Sequence, residues 1–162
     1  MILIINTSGG NLEFVLGDKY KSVVVEKQSI ALPTETEETS PEIEFVWPVE
    51  NGYVASKMES YKGHTGIDIA AKDENKNEIL AAADGTVVKV KWSNIGYGYH
   101  IIIHHKKGVQ TCYAHCSDMY VKVGQEVKAG EPIGKIGSTG THLHFEIRIM
   151  GEYVDPEEYL PN

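Results

Sequence analysis

The segment THLHFEIR, residues 141–148, is an apolar run that favours a β-strand and contains two histidines separated by one leucine. Successive side chains of a β-strand point to opposite faces, so His142 and His144 lie on one face, about 6.5–7 Å apart. Leu143 and Phe145 then point the other way, towards a core. Two imidazoles on the polar face of an amphipathic strand indicate part of a site. The alternative is an ordinary strand that carries two exposed histidines.

Composition is typical of a soluble globular protein with one full domain and some additional chain. The 162 residues are 41% hydrophobic and 23% charged. The formal net charge of -8 argues against a nucleic-acid surface, because phosphate binding needs clustered lysine and arginine. No apolar run approaches the ~18–20 residues of a membrane helix. The first five residues are apolar but lack a basic start, so they do not read as a signal peptide.

The chain is predicted to have three parts. Residues 1–32 form a small β-meander of unknown role, with short strands near residues 2–5, 12–16 and 22–25. Residues 33–44 are rich in glutamate, threonine and proline and have almost no apolar content, which is typical of a solvated linker. Residues 45–162 form the main domain.

The main domain is predicted to be all-β, a sandwich or barrel-like structure. Turn signals recur roughly every 8–12 residues and no long amphipathic helix is present. The evenly spaced valines and glycines of residues 121–134 predict closely turned strands with glycine at positive φ. The strands are expected at residues 79–83, 85–90, 100–103, 110–114, 133–136 and 142–149.

All seven histidines lie between residues 64 and 144. His64 and Asp68 are separated by a glycine that could turn them towards one point, and His115 is expected at the end of a strand. Histidine nitrogens and aspartate oxygens are both zinc donors, and a catalytic zinc needs three protein ligands. Four imidazoles and one carboxylate would supply three ligands and leave two imidazoles for acid–base work. His100, His104 and His105 are expected to face solvent or to end strands.

The other reactive patterns are incomplete. HExxH is absent, the HFE of residues 144–146 lacks the PCxxC of a deaminase, and residues 134–140 lack the GK[ST] of a phosphate-binding loop. Cys112 and Cys116 are predicted to be buried free thiols on one strand face, with metal ligation or a disulfide as the alternatives.

Six motifs occur in order: GHTGIDIAA (63–71), AADGTV (82–87), YAH (113–115), VGQEV (123–127), IGSTG (136–140) and HLHFE (142–146). Together they resemble the lysostaphin-type zinc endopeptidases, which cut peptidoglycan cross-bridges or stem peptides. The resemblance covers about residues 45–160. It implies an antiparallel β-fold with a groove, a peptidoglycan peptide as substrate, and a location in the cell envelope.

Carried over residue by residue, the resemblance implies that His64, Asp68 and His144 bind one zinc ion. It also implies that His115 and His142 are the catalytic histidines, and it leaves open which of them is the general base. Tyr61 and Tyr113 are either additional oxyanion donors or packing residues. The segment before His142 is shorter than is usual in the family.

Two other functions remain open. A binding or regulatory member of the same fold would use the groove to dock a cell-wall peptide or an envelope protein. A phosphocarrier or lipoyl-like carrier would share the valine–glycine repeat, but Asp68 would have no role in phosphotransfer.

Overall fold

The computed structural model describes residues 43–73, 77–93, 96–137 and 142–162 in full, and the backbone of residues 4–8, 11–15 and 23–24. The chain divides into two compact units, Met1–Pro41 and Glu42–Asn162. The first unit contains a three-stranded antiparallel sheet of β1 (Ile4–Ser8), β2 (Asn11–Val15) and β3 (Val23–Val24). The predicted acidic linker lies outside the described residues except for Ile43 and Glu44, so it stays a prediction.

The second unit is all-β, and this prediction is confirmed. In its described residues, every strand pairing is antiparallel and the helical segments are two single 3-10 turns, η1 (Lys106–Gly108) and η2 (Pro156–Glu158). None of the described helices is long and apolar enough to cross a membrane. The strands are β4 (Gly52–Ser56), β5 (Ile67–Ala71), β6 (Glu78–Leu80), β7 (Gly85–Ser93), β8 (Gly98–His104), β9 (Val109–Met119), β10 (Glu126–Val127), β11 (Pro132–Ile136), β12 (His142–Ile149) and β13 (Glu152–Val154).

Strand β12, which the sequence predicts as a strand, lies inside the main sheet between β9 and β5. The main path of the sheet runs β10-β7-β8-β9-β12-β5-β4, and β13 also pairs with β12. Leu143, Phe145 and Ile147 are fully buried on one face of β12, where they join the hydrophobic core. Strict alternation therefore leaves His142, His144, Glu146 and Arg148 together on the other face.

Glycine residues shape the turns between the later strands. Gly124 and Gly130 have φ of +87° and +80°, a conformation that side chains with a Cβ rarely adopt. These turns flank the two-residue strand β10, so the valine–glycine repeat forms the closely turned structure that the sequence predicts. Strands β4, β5 and β13 were not predicted, because their sequences are short or carry site residues that interrupt the apolar pattern.

The two cysteines are buried free thiols, as predicted, but they lie on different faces of the sheet. Cys112 is opposite Glu146 in the register and lines a pocket on the polar face. Cys116 packs in the hydrophobic core, and burial raises the pKa of its thiol to about 12. The prediction of a shared face is wrong because β9 carries one additional residue, His115, between the pairs Ala114–His100 and Cys116–Tyr99.

Candidate metal centre and active site

Three predicted ligands meet at one point on the polar face of the sheet. Antiparallel pairing of β12 with β5 places His144 directly opposite Asp68. His64 lies in the loop before β5 and folds back over that strand. The Nε2 atom of His64 and the Nδ1 atom of His144 lie 3.1 Å and 3.0 Å from the Oδ1 atom of Asp68. One donor atom from each residue lies within 4.8 Å of the others, and all three side chains are buried.

Gly66 allows the loop to approach the sheet closely. A Cβ atom at this position would overlap the backbone carbonyl of Phe145. The absence of a side chain therefore lets the chain between His64 and Asp68 lie against β12. The stacked ring of Tyr61, 4.3 Å from the ring of His64, covers the imidazole from the solvent side.

The outward nitrogens of both ligand histidines face hydrogen-bond acceptors. The Nδ1 atom of His64 lies 2.7 Å from the carbonyl oxygen of Lys57, and the Nε2 atom of His144 lies 3.3 Å from the Oε1 atom of Glu146. A neutral imidazole has one N–H group, and these contacts place it on the outward side. The inward lone pairs then face the Asp68 carboxylate, which is favourable only when a cation lies between them or when the rings are protonated. This donor set fits a zinc ion.

Glu146 is the centre of a buried polar network that the sequence analysis missed. Its carboxylate accepts hydrogen bonds from His144, Arg148, Thr65 and Tyr97. Burial alone would raise the pKa of Glu146, but these hydrogen bonds outweigh it and lower the pKa to about 2. The carboxylate is therefore ionised and orients the imidazole of His144. The sequence does indicate this position, because Glu146 is two residues beyond His144 and therefore lies on the same face of the strand.

His115 reaches the centre through a strained bulge in β9. Ala114 is opposite His144, so regular alternation would direct the next side chain towards the core. His115 instead adopts φ of +65°, which is uncommon for a residue other than glycine. This β-bulge turns its ring towards the polar face, where it lies 5.1 Å from the ring of His142 and 6.1 Å from that of His144. Strain of this kind is often found at functional sites.

His142 lies beside the metal trio and is partly exposed. Its Nε2 atom lies 3.8 Å from the Oδ1 atom of Asp68, and a third of its side chain is exposed. Burial and the neighbouring His142 lower the pKa of His115, which favours its neutral form. Burial would raise the pKa of Asp68, but hydrogen bonds from His144 and His64 lower it. The structure thus brings all five predicted site residues together.

Tyr113 and the three remaining histidines lie outside the metal trio. Tyr113 is fully buried, packs against Phe145 and accepts a hydrogen bond from the backbone of Ala82, so it is a packing residue. His104 is exposed, as predicted. His100 is buried within β8, so the prediction is wrong for it. His105 is also buried, but it directly follows the last residue of β8, in agreement with the strand-end alternative.

The burial of these two histidines has separate causes. The Nδ1–H group of His105 donates to the Asp84 carbonyl, and its Nε2 atom lies 2.8 Å from the Thr111 hydroxyl, so both ring nitrogens have partners away from solvent. His100 lies on β8 opposite Ala114 and packs beside Tyr97, 5.6 Å between ring centroids. His100 is therefore adjacent to the site, although it is outside the metal trio.

The family model of peptidase family M23 matches residues 62–156. The chain belongs to peptidase family M23, and the predicted lysostaphin-type resemblance is confirmed. The catalytic domain of the antimicrobial peptidase lysostaphin from Staphylococcus simulans is similar, with a TM-score of 0.54 and 32% sequence identity. The match covers 67% of this chain and 89% of the lysostaphin chain.

Two curated relatives are named as an activator and as a lipoprotein, not as peptidases. The murein hydrolase activator NlpD of Escherichia coli (strain K12) is 45% identical over 118 residues, which are 71% of this chain and 31% of that protein. The outer membrane antigenic lipoprotein B of Haemophilus influenzae is 41% identical over 118 residues, 71% of this chain and 29% of that protein. The chain therefore matches about a third of the length of these relatives.

Proposed function

We propose that this chain is a zinc-dependent endopeptidase that hydrolyses peptide bonds in bacterial peptidoglycan. The observation that carries the proposal is the complete set of five side chains on one sheet face: a His–Asp–His trio and two further imidazoles directed at it. A protein that only docks peptides has no need of the strained conformation of His115.

We assign zinc binding to His64, Asp68 and His144, through the Nε2, Oδ1 and Nδ1 atoms that face one another. When bound, zinc supplies Lewis-acid activation of the scissile carbonyl and of water. Lys57 and Glu146 accept the outward N–H groups of the two ligand histidines and so hold each ring in the required tautomer.

His115 and His142 carry the proton transfers. They lie within reach of the trio but are outside it, and one of them is partly exposed to substrate and water. One imidazole accepts the proton of the attacking water and the other protonates the leaving amine. The neutral form that burial favours for His115 suits it to accept or donate a hydrogen bond at the reacting group.

The test is digestion of purified peptidoglycan by the zinc-loaded protein. We expect release of peptide fragments, and a loss of about 10²–10⁴-fold in rate for His115→Ala and His142→Ala. His104→Ala is the matched control, because His104 is an exposed histidine on β8 and should retain full activity. Intact peptidoglycan after incubation with fully zinc-loaded protein would contradict the proposal.

A second candidate function is activation of a separate murein hydrolase. It is favoured by the 45% identity to a protein named as such an activator. An activator would work through its surface, so His142→Ala should stimulate an added murein hydrolase as strongly as the wild-type chain does. Stimulation that disappears in this variant would contradict activation and support cleavage by the chain itself.

We also propose that the protein acts in the cell envelope. The family resemblance implies this location, and a relative is named as an outer membrane lipoprotein. Peptidoglycan peptides are the expected partner of the peptidase, and a separate murein hydrolase is the expected partner of the activator.

A further inference from the structure

A concave pocket lies on the polar face of the sheet, beside the metal trio. Its volume is about 560 Å³, and it extends over strands β7, β8, β9 and β12. Tyr97 forms part of its lining and also donates to Glu146, the acceptor of His144. The pocket and the candidate active site therefore share one wall.

The charged side chains that line this pocket are all cationic. Among the described residues they are Lys89, Lys91 and Arg148, in a protein whose formal net charge is -8. Lys89 and Lys91 are exposed, and neither forms an ion pair with another residue in the described part of the chain. The charge of Arg148 is balanced by Glu146, so the two unpaired lysines make the local positive field that attracts anions.

Arg148 is held in place by an ion pair and a ring contact. Its Nη2 atom lies 2.7 Å from the Oε2 atom of Glu146, and its guanidinium lies 4.5 Å from the centre of the Tyr153 ring. Its Nε atom is buried and has no hydrogen-bond partner among the described residues. Arg148 is therefore a fixed wall of the pocket, and its charge is balanced by Glu146.

The strand register gives the distance from this pocket to the metal trio. Lys91 is opposite His100, His100 is opposite Ala114, and Ala114 is opposite His144. Three interstrand spacings correspond to about 14 Å. An extended peptide covers about 3.3 Å per residue, so the pocket lies up to about four residues from the bond at the metal trio.

We propose that this pocket is a subsite for a carboxylate of the substrate peptide, which makes the enzyme selective for acidic peptides over neutral ones. This inference rests on the proposed function, because it places the scissile bond at the metal trio. The two lysines bind the carboxylate by charge-assisted hydrogen bonds. Tyr153 supplies an apolar side to the same pocket.

The test compares two fluorescently labelled peptides that differ in one group. One carries a glutamate four residues from a central Gly-Gly bond, and the other carries glutamine at that position. We expect zinc-loaded wild-type protein to bind the acidic peptide at least about tenfold more tightly in fluorescence anisotropy, because only the carboxylate forms charge-assisted hydrogen bonds with the lysines. The preference should weaken as salt is raised.

The variant Lys89→Gln/Lys91→Gln should lose the preference for the acidic peptide and keep its zinc content. Lys106→Gln/Lys122→Gln is the matched control, because both lysines are exposed and outside the pocket. Equal affinity of the wild-type protein for the two peptides, no binding of either, or an unchanged preference in the pocket variant would overturn the inference. Cleavage of the two peptides is measured separately from binding. If the protein cuts the neutral peptide and shows no preference for the acidic one, the subsite is contradicted and the peptidase activity is not. If the protein binds the acidic peptide selectively but cuts neither peptide, the peptidase activity is contradicted and the subsite is not.

Discussion

The substitution Glu146→Gln tests how the metal centre is held. The fully buried carboxylate of Glu146 lies 3.3 Å from the Nε2 atom of His144 and 2.7 Å from the Nη2 atom of Arg148. Its Oε1 atom also accepts from Thr65 and Tyr97. Glutamine has the same shape but only one acceptor oxygen, so its amide group must face one of these two sets of donors.

Losing this carboxylate should weaken zinc binding without removing a ligand. Substitution of groups that orient metal ligands typically costs 10–100-fold in metal affinity, which is about 1.4–2.7 kcal/mol. The assay is competition for zinc against a chromogenic chelator, with thermal unfolding of the chelator-treated protein to correct for any loss of folding. Glu152→Gln is the control, because Glu152 is exposed on β13. A zinc affinity for Glu146→Gln within about twofold of wild type would refute the role that we assign to Glu146.

Two further predictions concern the loop and the core. Gly66→Ala should lower both the zinc affinity and the free energy of unfolding, because the alanine Cβ atom would overlap the backbone of Phe145. If the variant keeps the wild-type zinc affinity and free energy of unfolding, the loop can move without cost and the prediction is wrong. Burial lowers the pKa of His105 in the folded protein below its ordinary value of 6.5. As the pH falls below 6.5, the unfolded chain therefore takes up a proton at His105 before the folded protein does, and the free energy of unfolding decreases. The decrease ends once the pH is below the pKa of the folded state. Denaturant unfolding of His105→Gln should therefore show a smaller loss of stability than wild type between about pH 7.5 and pH 5.5, and equal losses would contradict the assignment.

The sequence predicts the parts of this structure that follow from local periodicity. Alternation along residues 142–149 correctly predicts a strand with Leu143 and Phe145 in the core and two histidines on the other face. The all-β class follows from regularly spaced turns. By contrast, the prediction that His64 and Asp68 meet His144 rests on the family resemblance, because sequence spacing alone cannot show which strands become neighbours.

The features that were missed depend on contacts between distant strands. The bulge at His115 arises in the pairing of β9 with β8, and it reverses the face of every residue after it, including Cys116. The burial of His105 depends on hydrogen bonds to Asp84 and Thr111, which no local pattern reveals. Glu146 could have been assigned, because its place on the face of His144 follows from alternation alone.

The central claim is that this one chain both holds zinc and cuts peptide bonds. The most direct measurement is mass analysis of purified peptidoglycan after incubation with the zinc-loaded protein and no other hydrolase, in parallel with His142→Ala loaded to the same zinc content. We predict fragments with a new amine and a new carboxyl group, each cut adding one water, from the wild-type protein and almost none from the variant. Equal stoichiometric zinc in both proteins with no such fragments from either would contradict the peptidase and leave the activator function as the better account.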